Sequence, residues 1–172
     1  MAIVPEDKDW TWVLGAPCDE CGFDAQAFSV DTVDRLIRAN AASWVPVLAR
    51  PDVATRPSDD RWSPLEYACH VRDVFSLYHF RLGLMLEHDD PLFPNWDQDE
   101  AAIEQRYHEQ EPALVASALV SNAEAAAHLF ATVTGDQWNR PGRRSDNKYF
   151  TIETFARYFI HDPIHHLWDV GG

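Results

Sequence analysis

The chain has 172 residues, 46% of them hydrophobic and 12% aromatic, with 28 acidic against 14 basic side chains and a formal charge of −14. This length and composition give one domain a sizeable core and exclude a disordered chain. The acidic balance repels phosphate backbones and so excludes a nucleic-acid partner.

No apolar run approaches the length of a membrane span, and residues 1–8 lack the basic and apolar regions of a signal peptide. The expectation is a soluble, cytoplasmic protein with no membrane partner. Residues 1–28 hold Trp10, Trp12, Cys18, Cys21, Phe23 and Phe28 among Pro, Gly and Asp, with no helical period. They read as an irregular arm whose aromatics dock on the rest. The three cysteines are an odd number, which argues against a disulfide framework. Cys18 and Cys21 form a lone Cys-x-x-Cys without a second pair to close a zinc site. It reads as a reducible local disulfide, a half-site completed by a histidine, or two ordinary thiols.

A first helix is expected from Asp31 as N-cap, with Asp34 in its first turn and Val33, Leu36, Ile37, Asn40, Trp44, Val47 and Leu48 on one face. Pro46 falls near its end and Pro51 limits it. The second helix has the clearest start. Ser63-Pro64-Leu65-Glu66 is a Ser N-cap, a Pro at the first helical position and a Glu three residues on, a capping box. Tyr67, Val71, Val74, Tyr78, Leu82 and Met85 continue it to residue 87 or 88, with His70 on the inward stripe. A long acidic crossover, 89–111, follows, with a short helix expected over 101–110; a connection of this length suggests that it covers a site. A third helix runs from Pro112 to before Gly135. The loop 136–149 gathers Arg140, Arg143, Arg144 and Lys148, read as a turn balancing nearby acids, with an anion site as the alternative. The fourth helix starts at Thr151 with Glu153 in its first turn.

The last helix carries His161 and His165 at i, i+4, one turn apart on the same face, which is how one helix offers two imidazoles to one ion. The third ligand is expected from His70, giving a site His70, His161 and His165; the alternative is that these rings pack or make hydrogen bonds. The helices give an all-α fold: an antiparallel four-helix bundle with a long crossover between the second and third helices and an irregular N-terminal arm. The domain reading is a single domain over 1–172, with the arm at 1–28 and the bundle at 29–170.

Trp62-Ser63-Pro64 before the second helix, His70 about two turns in, and His161 with His165 on the last helix resemble the DinB-like superfamily over roughly residues 30–170. This is the fold shared by bacillithiol S-transferases and the metal domain of mycothiol-dependent maleylpyruvate isomerases. The resemblance implies that the three histidines bind a divalent ion, typically zinc or nickel, with open positions for water or a thiolate. Two departures stand out. Pro163 lies between the helical ligands, where a bulge would bring His166 rather than His165 to the metal, and the arm has no counterpart.

The leading functional reading is therefore a metal-dependent S-transferase that activates a low-molecular-weight thiol cosubstrate. No protein nucleophile is then needed, because the metal deprotonates the thiol. Asp73, Asp162 and Asp169 are candidates for orienting a ligand imidazole. The alternatives are a metal-dependent hydrolase using metal-activated water and a non-catalytic metal- or ligand-binding bundle. Expected partners are a small-molecule substrate and a second copy of the chain as a homodimer.

Overall fold

The computed structural model describes residues 9–172; the stretch 1–8, read as lacking a signal segment, lies outside them. Five helices form in the order α1 (Val33–Leu48), α2 (Pro64–Glu87), α3 (Gln98–Glu104), α4 (Pro112–Ala131) and α5 (Ile152–Asp169). The fold is an all-α four-helix bundle built from α1, α2, α4 and α5. α4 packs most extensively on α2 and α1, and α5 packs on the same two helices. The bundle is thus a square in which α1 and α2 each touch both α4 and α5.

Local chemistry sets the helix starts. Glu66 accepts from the Ser63 amide at 2.9 Å while Ser63 Oγ accepts from the Glu66 amide at 3.2 Å, so the expected capping box closes α2. Thr151 Oγ1 likewise accepts from the Thr154 amide at the start of α5. α1 departs from expectation. Asp31 binds Ser29 and sits in a 3-10 turn, Val30–Thr32, so the α-helix begins two residues later at Val33. Of the expected inward face, Val33, Ile37, Asn40, Trp44, Val47 and Leu48 are buried and Leu36 is half-buried. α4 corrects one reading. It is 20 residues long with a hydropathy of 1.3, apolar enough by length and composition to cross a membrane. In the bundle its Val115, Leu119, Ala123, Ala127 and Phe130 are buried.

Glu66 is nearly inaccessible, with 4% of its side chain exposed, and it pairs with Arg56, whose Nε donates at 2.9 Å. Burial raises its pKa, but Arg56 and the Ser63 amide and hydroxyl outweigh that and hold it below the ordinary 4.5. A depressed native pKa contributes stability above the unfolded value and loses it as pH falls through the native one. In urea unfolding, wild type should exceed Glu66→Gln by about 1.5–3 kcal/mol at pH 7. The gap should close as pH drops below 4.5. A gap unchanged at pH 3 would show that the pair is not the cause.

The crossover and the basic loop form one unit. Residues 141–151 make a hairpin of β1 (Pro141–Arg143) and β2 (Tyr149–Thr151), pairing Gly142 with Phe150. The crossover joins its edge, the Phe93 amide donating to Arg143 O at 2.7 Å and the Arg143 amide to Pro91 O at 2.9 Å. Gly142 permits this approach: a Cβ there would lie 2.7 Å from Phe93 Cζ and 2.9 Å from Met85 Cγ. The short helix of the crossover starts three residues earlier than expected, because Asp97 caps it by accepting from the Asp99 and Glu100 amides, and it ends six residues earlier. The four cations of the loop are bound by the protein. Arg140 donates to Met85 O and His88 O, Arg143 to Asp90, Arg144 to Asp146 and Tyr158, and Lys148 pairs with Asp9. They balance nearby acids, as read from the sequence.

Candidate metal centre

α2 and α5 place the candidate ligands. His70 stands inward near the N-terminal end of α2 and is 1% exposed. α5 runs as one α-helix through Pro163, whose carbonyl accepts from Asn40 Nδ2 at 2.9 Å. An unbroken α5 carries two i, i+4 pairs one residue out of step: His161 with His165, and Asp162 with His166. Successive residues of a helix point about 100° apart, so the two pairs face different neighbours.

The structure divides the expected ligand set along this line. His70, Asp162 and His166 place one ligand atom each within 4.8 Å of one another. Cys18, Cys21, His161 and His165 do the same as a second group. His166 thus stands with His70 in a regular helix, and its partner one turn back is Asp162. The sequence already held that signal, since Asp162 and His166 share the spacing that singled out His161 and His165.

In the first group His70 Nε2 lies 3.3 Å and His166 Nε2 3.9 Å from Asp162 Oδ1. The His70 and His166 rings meet edge to face with centroids 4.9 Å apart. Both His70 ring nitrogens and Asp162 Oδ1 are buried: Nε2 and Oδ1 face each other at 3.3 Å, and Nδ1 has no hydrogen-bond partner among the described residues. Buried polar groups left so thinly paired are costly, and metal-ligand atoms of all three residues converge here, so the residues fit a divalent cation. Two imidazoles and a carboxylate are a harder donor set than three imidazoles, and they leave further coordination positions open. Burial raises the Asp162 pKa, yet the facing His70 and His166 bring it down to about 2. Asp169 Oδ2 lies 2.9 Å from His166 Nδ1, which puts the proton on Nδ1 and turns the Nε2 lone pair toward Asp162. The Trp62 and Trp96 rings pack on His70, each at 5.6 Å.

A cavity of about 350 Å³ opens over this part of α5. It is lined by His161, Asp162, His165 and His166 of α5, by Trp10, Trp96 and Tyr158, and by Asp97, Gln98 and Asp99 of the crossover. The crossover therefore borders the site, as its length suggested. Trp96 does so directly, whereas Tyr107 is buried and donates to Asp73 at 2.5 Å, which gives Asp73 a structural role. Burial, then the charge of Asp97, raises the Asp99 pKa. Burial also raises that of Tyr158, whose phenol accepts from Arg144 at 2.8 Å.

A solved structure similar to this one is that of YfiT from Bacillus subtilis, described as a probable metal-dependent hydrolase with an unusual four-helix bundle topology. The two share 18% of residues, over 85% of this chain and 89% of that one, with a TM-score of 0.73; that likeness shows the fold. No curated protein matches the chain. The sequence model of the DinB superfamily matches residues 34–170, from the first turn of α1 to just beyond α5. That span contains all four bundle helices, His70, and both ligand pairs of α5, and the chain belongs to the DinB superfamily.

Proposed function

We propose that this protein is a metal-dependent enzyme that holds a divalent cation on His70, Asp162 and His166 and activates a low-molecular-weight thiol for transfer to a small electrophile. The observation that carries the reading is the convergence of these three side chains, two of which line an aromatic cavity, with His70 Nδ1 lacking a hydrogen-bond partner among the described residues. Bound there, zinc or nickel supplies Lewis acidity and lowers the pKa of a thiol or a water in its open positions. The chain's own residues do the rest. Asp169 fixes the tautomer of His166, and the Trp96 ring stacks on His70 and holds it in place. Trp10, Trp96 and Tyr158 bind the organic part of a substrate and exclude water. Asp97 and Asp99 in the cavity lining select against anionic molecules and favour neutral or cationic ones.

A second reading, hydrolysis, is favoured by Asp99. Its raised pKa in the cavity lining suits a group that takes a proton from water, and the similar YfiT is described as a probable hydrolase. A panel of small thiols with electrophiles, run beside esters and amides, separates the two. Thiol consumption should require added metal and be lost in His70→Ala. Ester or amide cleavage without any thiol would replace transfer by hydrolysis. Neither reaction, with metal bound, would make the bundle a binding protein.

A further inference from the structure

The second ligand group lies outside that chemistry, and it joins the arm to the last helix. We infer that Cys18, Cys21, His161 and His165 form a structural zinc site that clamps residues 9–28 to α5.

The local fold prepares both halves. In Cys18-Asp19-Glu20-Cys21-Gly22 the Gly22 amide donates to Cys18 O at 2.8 Å and the Cys18 amide to Phe23 O at 2.8 Å. Gly22 has φ +73°, a left-handed conformation open to a residue without a Cβ. The turn so closed gathers both sulfurs on α5. There His161 and His165 sit one turn apart, with ring centroids 5.1 Å from each other.

The distances suit zinc. The four ligand atoms lie within 4.8 Å of one another, and Cys18 Sγ is 3.7 Å from His165 Nδ1. Tetrahedral bonds of about 2.3 Å to sulfur and 2.0–2.1 Å to nitrogen put ligand atoms roughly 3.3–3.8 Å apart, so a small tightening closes the site. Cys18, His161 and His165 are 1%, 3% and 6% exposed. The Trp10 ring covers both imidazoles at 5.2 and 4.8 Å, and Phe23 covers His161 at 5.4 Å. The far nitrogen of His165, Nε2, faces Glu20 at 3.8 Å and Asp169 at 3.9 Å, carboxylates that favour a proton there and leave Nδ1 for the metal.

Two sulfurs and two imidazoles fill a tetrahedron, so the ion has no open position and its role is structural. Two thiolates also neutralise its charge, which suits a buried place in the fold. The site also shapes the cavity beside the first ligand group, because His161, His165 and the Trp10 ring that covers them all line that space.

Cobalt titration of the metal-free, reduced protein tests the inference. Wild type should bind two equivalents, one of them producing a near-ultraviolet sulfur-to-cobalt charge-transfer band. Cys18→Ser/Cys21→Ser should bind one equivalent and lose the band. His70→Ala/His166→Ala should also bind one but keep the band, so failure of the His70 site and failure of this one are told apart. X-ray absorption of the zinc form of the latter protein should show two sulfur and two nitrogen neighbours. A wild-type protein saturated with cobalt that shows no charge-transfer band would overturn the inference even if the cysteine variant does not fold. So would a cysteine variant that binds as much metal as wild type.

Discussion

Asp162→Ala should cost the His70 site its metal, weakening affinity roughly a thousandfold. Each of three ligands carries several of the about 10–16 kcal/mol typical of a protein-bound zinc, and about 4 kcal/mol is a thousandfold. Asp169→Asn should be milder, about 10–100-fold, because Asp169 only orients His166 and fixes its tautomer. Competition with a chromophoric chelator measures both. The contrast between the two aspartates matters more than either value. Equal losses would mean that Asp162 orients a ligand as Asp169 does, and that the ion sits elsewhere on α5.

A loss of about 3–5 kcal/mol is expected for Phe159→Ala, read by urea unfolding. Phe159 is fully buried where α5 meets the other helices. Its ring stacks on Tyr78 of α2 at 4.5 Å and lies parallel to Phe130 of α4 at 5.7 Å, with Phe75 edge-on at 6.0 Å. Truncation removes the transfer energy of the ring and opens a void that three rigid aromatics fill poorly. Against a total stability of about 5–15 kcal/mol this is a large share. Ile103→Ala is the control, since Ile103 is 76% exposed on α3 and should change stability by less than about 0.5 kcal/mol. A Phe159→Ala loss near that of the control would show that the bundle core lies elsewhere.

The bundle was legible because its helices carry local signals. Ser63, Pro64 and Glu66 mark the start of α2 by hydrogen bonds made within four residues, and Thr151 does the same for α5. The hairpin was not legible, since strands of three residues such as Pro141–Arg143 show no period. Its partner edge is the crossover, some fifty residues away, at Leu92. The site was half legible. Spacing showed that α5 presents ligands one turn apart, and burial periodicity turned His70 inward. Spacing could not choose between His161/His165 and Asp162/His166, because both pairs obey the same rule. What chooses is the rotation of α5 about its axis, set by packing partners such as Tyr78 and Phe130 on other helices. The cysteines illustrate the same limit: four residues held their turn, but the histidines they meet lie at the other end of the chain.

That separation dictates an order of assembly. Cys18 and His165 are 147 residues apart, and Arg157 donates to the Phe28 carbonyl across 129. During synthesis the arm leaves the ribosome before the helix that receives it. Closing so long a loop is entropically costly until α1, α2 and α4 have drawn the chain ends together. Docking of the arm is therefore expected to follow assembly of the helices. A chain that stops short of α5 exposes Trp10, Phe23 and two thiols to its surroundings.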